Sequence, residues 1–187
     1  AVKAGLALGC EINMHNSFDR KNYFYPDLPK AYQITQYLRP ICVSGKVDIG
    51  GKIIRINRIH LEEDAGKLIH HDSDGLSLID LNRCGIPLIE IVTEPDISSA
   101  EEAKAFVEAV SLNLKYAGVC DCRMEEGSLR VDVNISLMPE GATELGTRAE
   151  IKNLNSLKSI ARAIEYEIYR QSELLDNGMN IIQETRR

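Results

Sequence analysis

The chain is short of basic charge, of paired cysteines and of long apolar runs. Its 187 residues carry 28 Asp and Glu against 22 Lys and Arg, a formal net charge of −6. That balance argues against a stand-alone nucleic-acid clamp, because binding to a phosphate backbone rests mainly on Lys and Arg. Contact with the end of an RNA stays open. Cys10, Cys42, Cys84, Cys120 and Cys122 form no CxxC pair, and Cys120-Asp121-Cys122 is tighter than the usual zinc spacings. Reduced, structural thiols of an intracellular protein are the expectation. No apolar run approaches the ~20 residues that a membrane-spanning helix needs, so the sequence holds no helical span.

Two catalytic signatures are missing as well. "GKLI" after Ala65 lacks the glycine spacing and the Ser or Thr of a phosphate-binding P-loop. Ser128 follows a glycine but has no G-x-S-x-G frame and no His placed to activate it. Repeats, linkers and low-complexity tracts are absent too.

The content of the chain is that of a globular protein, 44% hydrophobic and 27% charged. Its length suffices for one domain with a sizeable core. "AVKAGLALGCEI" opens in mid-pattern, with Val2, Leu6 and Ala7 on one helical face and Gly9 suited to the helix end. "NIIQETRR" stops as an extended segment begins. Both ends read as cut, so residues 1–187 are expected to form a single partial domain of a longer protein.

Along the chain, residues 18–37, "FDRKNYFYPDLPKAYQITQY", predict a structured loop with short extended pieces, because its prolines disfavour a regular element. Its tyrosines either stack a base or pack the loop, and Arg20, Lys21 and Lys30 tilt it toward a phosphate-bearing ligand. "KVDIGGKIIRINRIHLEEDAGK" predicts a hairpin turning at Gly50-Gly51. "GLSLIDLNRCGIPLIEIVTEPD" predicts two more strands, broken around Gly85 and Pro87 and ended at Pro95. Ser99 and Glu102 form a capping box ahead of an apolar stripe from Ala103 to Ala117, closed by Gly118. A strand over 129–137, a turn at Pro139-Glu140-Gly141 and a strand in "GTRAEIKN" follow. Asn155 or Ser156 caps a last helix through Leu175, with Gly178 beyond it. The sum is an α+β fold with a mainly antiparallel sheet and flanking helices.

The chemistry concentrates on strands. In "RMEEGSLRVDVNIS", residues 123–136, Arg130, Asp132, Asn134 and Ser136 share one face. With a turn centred near Glu140, Arg130 faces Glu150 and Asp132 faces Arg148, pairs that stabilise a sheet by roughly 0.2–1 kcal/mol each. Other acids gather nearby in pattern: Glu90 interrupts the apolar "PLIEIV", Glu125 and Glu126 precede the alternating strand, and "HLEEDAG" sets acids at a strand end. There Arg58, His60 and Glu62 share one face, while Glu63 lies with Ile59 and Leu61 and must find a cation or a metal. Carboxylates gathered from several strands are what Mg²⁺ requires, and Arg130, Arg148 and Lys152 can hold a phosphate beside it. His70-His71 with Asp72 and Asp74 offers a second metal pattern, though a solvated loop explains it as well.

"FDRKNYFYPDLPKAYQITQY", "HLEEDAGK", "NRCGIPLIEIVTEPDI", "MEEGSLRVDVNIS", "GTRAEIKNLNS" and "QETRR" together resemble, in order and over nearly the whole chain, the B-subunit family of the aspartyl/glutamyl-tRNA amidotransferases. The archaeal E-subunit family is a close relative, but "MEEGSLR" is nearer to B.

The resemblance implies a glutamine synthetase-like fold and an ATP- and Mg²⁺-dependent kinase-like site. There the side-chain carboxylate of Glu mischarged on tRNA(Gln), or Asp on tRNA(Asn), is phosphorylated and then amidated by ammonia from an amidase (the glutaminase A-subunit). A small C-subunit would make up a heterotrimer, working in the bacterial cytoplasm or an organellar matrix and away from any membrane.

By motif, Glu63, Glu125 and Glu150 correspond to metal ligands, and Asp132 assists through water. Lys152, Arg130 and Arg148 contact phosphate or acyl phosphate, with Lys152 and Arg130 on ATP. Glu90 is a ligand or a neighbouring acid. The family's N-terminal Gly-Leu-Glu-Ile-His-type block and its C-terminal helical and tail domains are not in this sequence. An incomplete metal site and little activity alone are therefore expected. Two other readings stay open: a non-catalytic scaffold whose acids and bases pair with each other and with a partner protein, and a metal-dependent phosphohydrolase.

Overall fold

The computed structural model describes residues 1–71 and 75–187. The chain folds as two compact units, one of Ala1–Val47 with Ile53–Asp96, the other of Asp48–Lys52 with Ile97–Arg187. The architecture is α+β with mainly antiparallel sheets.

In the first unit, α1 (Val2–Ala7) leads into β1 (Glu11–Ile12), and β2 (Asp19–Asn22) pairs antiparallel with β3 (Tyr32–Thr35). The proline-rich segment is thus a short hairpin with a looped tip. Then come β4 (Cys42–Asp48), β5 (Ile53–Glu63), β6 (Lys67–His71), β7 (Leu76–Asp80) and β8 (Pro87–Thr93). The main sheet runs β1-β4-β5-β8, and β6-β7 form a separate antiparallel pair. As expected, β4 turns into β5 at Gly50 and Gly51. Both have positive φ (+97° and +110°), and both amides donate to Asp48 Oδ1 at 2.9 Å. The pattern His70-His71-Asp72-Asp74 falls partly outside the described residues, at Asp72 and Asp74.

Helix α1 buries a different face from the one its apolar residues mark. Ala4, Gly5 and Leu8 are buried, while Val2 and Leu6 are exposed. The reason is close approach: a Cβ on Gly5 would lie 2.5 Å from Cys42 Sγ, so the helix rests on β4 through its smallest residue. The core of this unit gathers Leu8, Cys42, Val47, Ile54, Ile56 and Ile59, each large aliphatic contributing about 1.5–3 kcal/mol on burial. A bulge between Ile56 and Arg58 shifts the alternation of β5 by one residue. Beyond it, Ile59 stays in the core and His60 is buried as well.

The second unit contains α2 (Ala100–Tyr116), β9 (Val131–Ile135), β10 (Ala149–Leu154), α3 (Leu157–Asp176) and β11 (Thr185–Arg186). Ser99 caps α2, its hydroxyl accepting from Glu102 N at 3.1 Å. The Glu102 carboxylate accepts from Ser98 N, one residue before the usual capping-box partner, and from Lys52 Nζ at 2.7 Å. Ala103, Phe106, Val107, Val110 and Leu114 are buried, and Gly118 (φ +63°) ends the helix as the pattern predicts. Ser156 caps α3, which packs on α2 and across β9 and β10.

The sheet order is β11-β10-β9, with β9–β10 antiparallel and β10–β11 parallel. Its register corrects the pairing expected from sequence. Glu150 stands opposite Asn134, not Arg130, and Asp132 meets Lys152 rather than Arg148. The expected turn at Pro139-Glu140-Gly141 is present, with Ala142 N donating to Pro139 O at 3.0 Å, but it lies within a longer connection over residues 136–148, and the strands slide by an even step that keeps Asp132, Asn134, Glu150 and Lys152 on one face before an irregularity between Ile151 and Leu154.

Candidate active site

Each unit gathers ionisable side chains at a strand. In the first, the β5–β8 ladder sets His60 opposite Glu90. Buried His60 holds Nε2 3.6 Å from both Glu62 Oε2 and Glu90 Oε2, and these ligand atoms all lie within 4.8 Å of one another. Arg58 Nε donates to His60 Nδ1 at 3.3 Å, which leaves the ring proton on Nε2, facing the two acids. Sequence alternation puts His60 and Glu62 on one face; the strand opposite, and hence Glu90, needs the register. Next to them Glu63 is mostly buried and is bound by Lys30 at 2.5 and 2.6 Å. Lys30 arrives from the β2–β3 hairpin, where it and Arg20 lie over the Tyr32 ring at 4.9 and 4.4 Å. The cation that Glu63 requires is therefore Lys30, a partner that no local pattern reveals.

The second unit brings Asp132, Glu150 and Lys152 together. Lys152 Nζ lies 3.4 Å from Glu150 Oε1 and 3.7 Å from Asp132 Oδ2. Burial pushes the Asp132 carboxyl above the ordinary value; Glu150 pushes the same way, and Lys152 and Arg130 only partly offset them. Thr185 Oγ1 donates to Glu150 Oε2 at 2.9 Å from β11, a contact that no sequence pattern signals.

Behind this strand a buried ionic seam ties β11 to α3. Glu167, fully buried, accepts from Arg170 at 2.6 Å and lies 3.6 Å from Arg186, while Gln171 bridges Glu167 Oε1 and Ile135 O. Burial alone would raise the Glu167 carboxyl, but its bonds to Arg170 and Gln171 win and hold it low.

Asn134, Arg148, Glu150, Gln183, Glu184 and Thr185 line a pocket of about 250 Å³. Glu125 sits exposed in the turn before β9, where Gly127 has φ +76°. That turn is fixed by Ser128 Oγ, which accepts from Arg123 N at 2.8 Å and donates to Asp121 at 2.5 Å. All five cysteines are free thiols. Among the described residues no helix is long and apolar enough to cross a membrane.

The family model for the GatB/GatE catalytic domain matches residues 1–187. The chain belongs to that family. Among curated relatives, the B subunit of the aspartyl/glutamyl-tRNA(Asn/Gln) amidotransferase of Ruminiclostridium cellulolyticum is 68% identical over 190 residues, covering 100% of this chain and 39% of its own. The proteins of the same name from Caldicellulosiruptor saccharolyticus and Nitratidesulfovibrio vulgaris (strain DP4) are 59% and 57% identical, each match covering 100% of this chain and 40% of theirs. The chain thus spans about 40% of the length of the curated relatives it matches.

Of the residues the GatB/GatE resemblance singled out, Asp132, Glu150 and Lys152 meet in one cluster, and Arg148 lines the adjoining pocket. Arg130 precedes β9 and is close enough to Asp132 to lower its pKa. Glu63 and Glu90 belong to the first unit, where Glu90 meets His60.

Proposed function

We propose that this chain carries the part of an aminoacyl-tRNA amidotransferase in which ATP phosphorylates the side-chain carboxylate of Glu or Asp mischarged on tRNA. Ammonia released from glutamine by a partner protein then displaces the phosphate and leaves the amide. The partners in this reading are the amidase (A-subunit), a small C-subunit and the mischarged tRNA, and the work is done in the cytoplasm. A glutamine synthetase-like ancestry of the fold belongs to the same proposal.

The observation that carries it is the Asp132–Lys152–Glu150 cluster. Two carboxylates share one ammonium, and the proton affinity of Asp132 stays raised despite it. A site left short of positive charge, with oxygen donors on neighbouring strands, fits Mg²⁺. In this reading Glu150, Asp132 and Glu125 hold the ion in the second unit, and Glu63, paired with Lys30 in the first, is a further metal ligand by motif. Bound there, Mg²⁺ supplies neutralisation of phosphate charge. Lys152 and Arg130 bind the nucleotide phosphates and orient them, and Arg148 holds the carboxylate that is phosphorylated. Phosphoryl transfer asks for little beyond such positioning and charge.

The test is ADP release by the full-length protein with its partner proteins. It should require mischarged tRNA and be lost in Glu63→Gln or Glu150→Gln. Turnover unchanged in both variants contradicts the assignment. One observation favours the scaffold reading, the close Lys30–Glu63 pair. It predicts a melting temperature indifferent to Mg²⁺ and ATP, and strong coupling when Asp132 and Lys152 are replaced together.

A further inference from the structure

We propose that Cys120 and Cys122 form a reversible dithiol–disulfide couple, oxidised by a low-molecular-weight disulfide that enters the cavity beside Cys120, and that closing the bond loosens the turn over residues 123–128. The couple stands apart from the amidotransferase reading, so either can fail without the other.

The segment between α2 and β9 folds around the Cys120 sulfur. That sulfur accepts from Cys122 N at 3.2 Å, and its thiol donates to Ser128 O, also at 3.2 Å. The Cys122 thiol reaches Cys120 O at 3.8 Å and meets the Cys120 thiol as well. Burial first, and then this neighbour, push the Cys122 thiol up to about 11. Cys10 and Cys42 also lie near each other, but both are buried.

Access sets the order of events. Cys120 lines a cavity of about 640 Å³ with Lys115, Gly118, Val119, Asp121 and Arg123. Such a volume falls within the roughly 300–1,000 Å³ of sites that admit small molecules. Cys122 is buried and is not among the lining residues. Cys120 therefore attacks first: its thiolate bonds to one sulfur of the disulfide, and the other sulfur leaves as a thiolate that takes up a proton. Cys122 then gives its proton to solvent as its sulfur attacks that of Cys120. The second small thiolate departs and is protonated in turn. The two cysteines lose two hydrogens, and the small disulfide is reduced to two thiols.

Oxidation also removes a hydrogen bond. The S–H that Cys120 gives to Ser128 O disappears. It closes the same turn as Ser128 N to Arg123 O and Gly127 N to Met124 O, both at 3.1 Å. Arg123 N to Ser128 Oγ, at 2.8 Å, adds a third tie. A carbonyl that loses its donor weakens the turn. Glu125 stands in that turn, so the couple bears on an acid that the proposed function assigns to the metal.

The test exposes the full-length protein with its partners to 2-hydroxyethyl disulfide, blocks remaining thiols by alkylation, and reads the mass of the peptide holding Cys120 and Cys122. The wild-type peptide should become lighter by two hydrogens, and dithiothreitol should restore them. Cys122→Ala should stop at a mixed disulfide on Cys120. In Cys120→Ser, Cys122 should react about tenfold more slowly than Cys120 does in wild type, as a buried thiol does. Amide hydrogen exchange over residues 123–128 should quicken about threefold or more on oxidation of the wild type, and stay unchanged in Cys120→Ser. A wild-type peptide that stays a dithiol under excess disulfide, or that stops at the mixed disulfide, would overturn the proposal. So would reaction of Cys122 undiminished by Cys120→Ser, or exchange unaltered by oxidation.

Discussion

Thr185 donates its hydroxyl to Glu150 Oε2 at 2.9 Å across the parallel β10–β11 pair. A two-residue strand thereby orients an acid that the proposed function assigns to the metal. Thr185→Val should weaken Mn²⁺ binding to the full-length protein severalfold, read by electron paramagnetic resonance, and Thr185→Ser should restore it. Equal affinity in all three proteins would deny Thr185 this positioning role.

Asp132 makes a prediction of unusual sign. Its carboxyl is raised by burial and by Glu150, so the folded state favours the protonated form more than the unfolded chain does. The resulting penalty on folding is full above the folded-state value and disappears as pH falls below the ordinary carboxylate range. Without divalent metal at neutral pH, Asp132→Asn should raise the melting temperature. With Mg²⁺ present the order should reverse, because the wild type alone keeps the ligand. A drop in both conditions would show Asp132 to be an ordinary ion-pair partner of Lys152.

Glu102 behaves in the opposite way. The Lys52 ammonium and the Ser98 amide hold its carboxyl at about 2, against an ordinary 4.5. A depressed folded-state value stabilises above the ordinary value and loses that contribution as pH falls from about 4.5 towards about 2. Glu102→Gln should lower the melting temperature at neutral pH, and the gap to wild type should close across that acidic window. A gap independent of pH would assign the effect to helix capping alone.

At Gly5, two effects compete. Alanine is the better helix former by about 1 kcal/mol, but its Cβ would lie 2.5 Å from Cys42 Sγ and 2.9 Å from Ile12 Cδ1. Overpacking typically costs about 1–3 kcal/mol, so Gly5→Ala should destabilise in urea unfolding. Gly5→Ala with Cys42→Ala should recover most of the loss. Full stability of the single variant would mean that α1 can lift off β4.

Much of the fold can be read from local signals. The Ser99 cap, the α2 stripe and the Gly50-Gly51 turn each have a pattern within a few residues, and each stands where the pattern puts it. What escapes local reading depends on distance. The strand partner of Glu150 differs from expectation because a long connection, unlike a two-residue turn, does not set register. The buried face of α1 differs because six residues are too few for periodicity to outweigh the contact with Cys42. In the candidate site, the acids and bases of β9 and β10 are visible by type and by face. Lys30, Thr185 and the meeting of His60 with Glu90 are not, since each joins strands far apart in sequence.

At the centre of the proposed chemistry, Glu150 holds the Mg²⁺ that would neutralise the charge of a phosphoryl group in transfer. The most direct test is the initial rate of ADP release by the full-length complex given Mg²⁺, ATP and mischarged tRNA, wild type against Glu150→Gln. Loss of an electrostatic group of this kind costs on the order of 10²–10³ in rate. A fall of that size with the melting curve retained is the expected result, whereas a rate within twofold of wild type would contradict it.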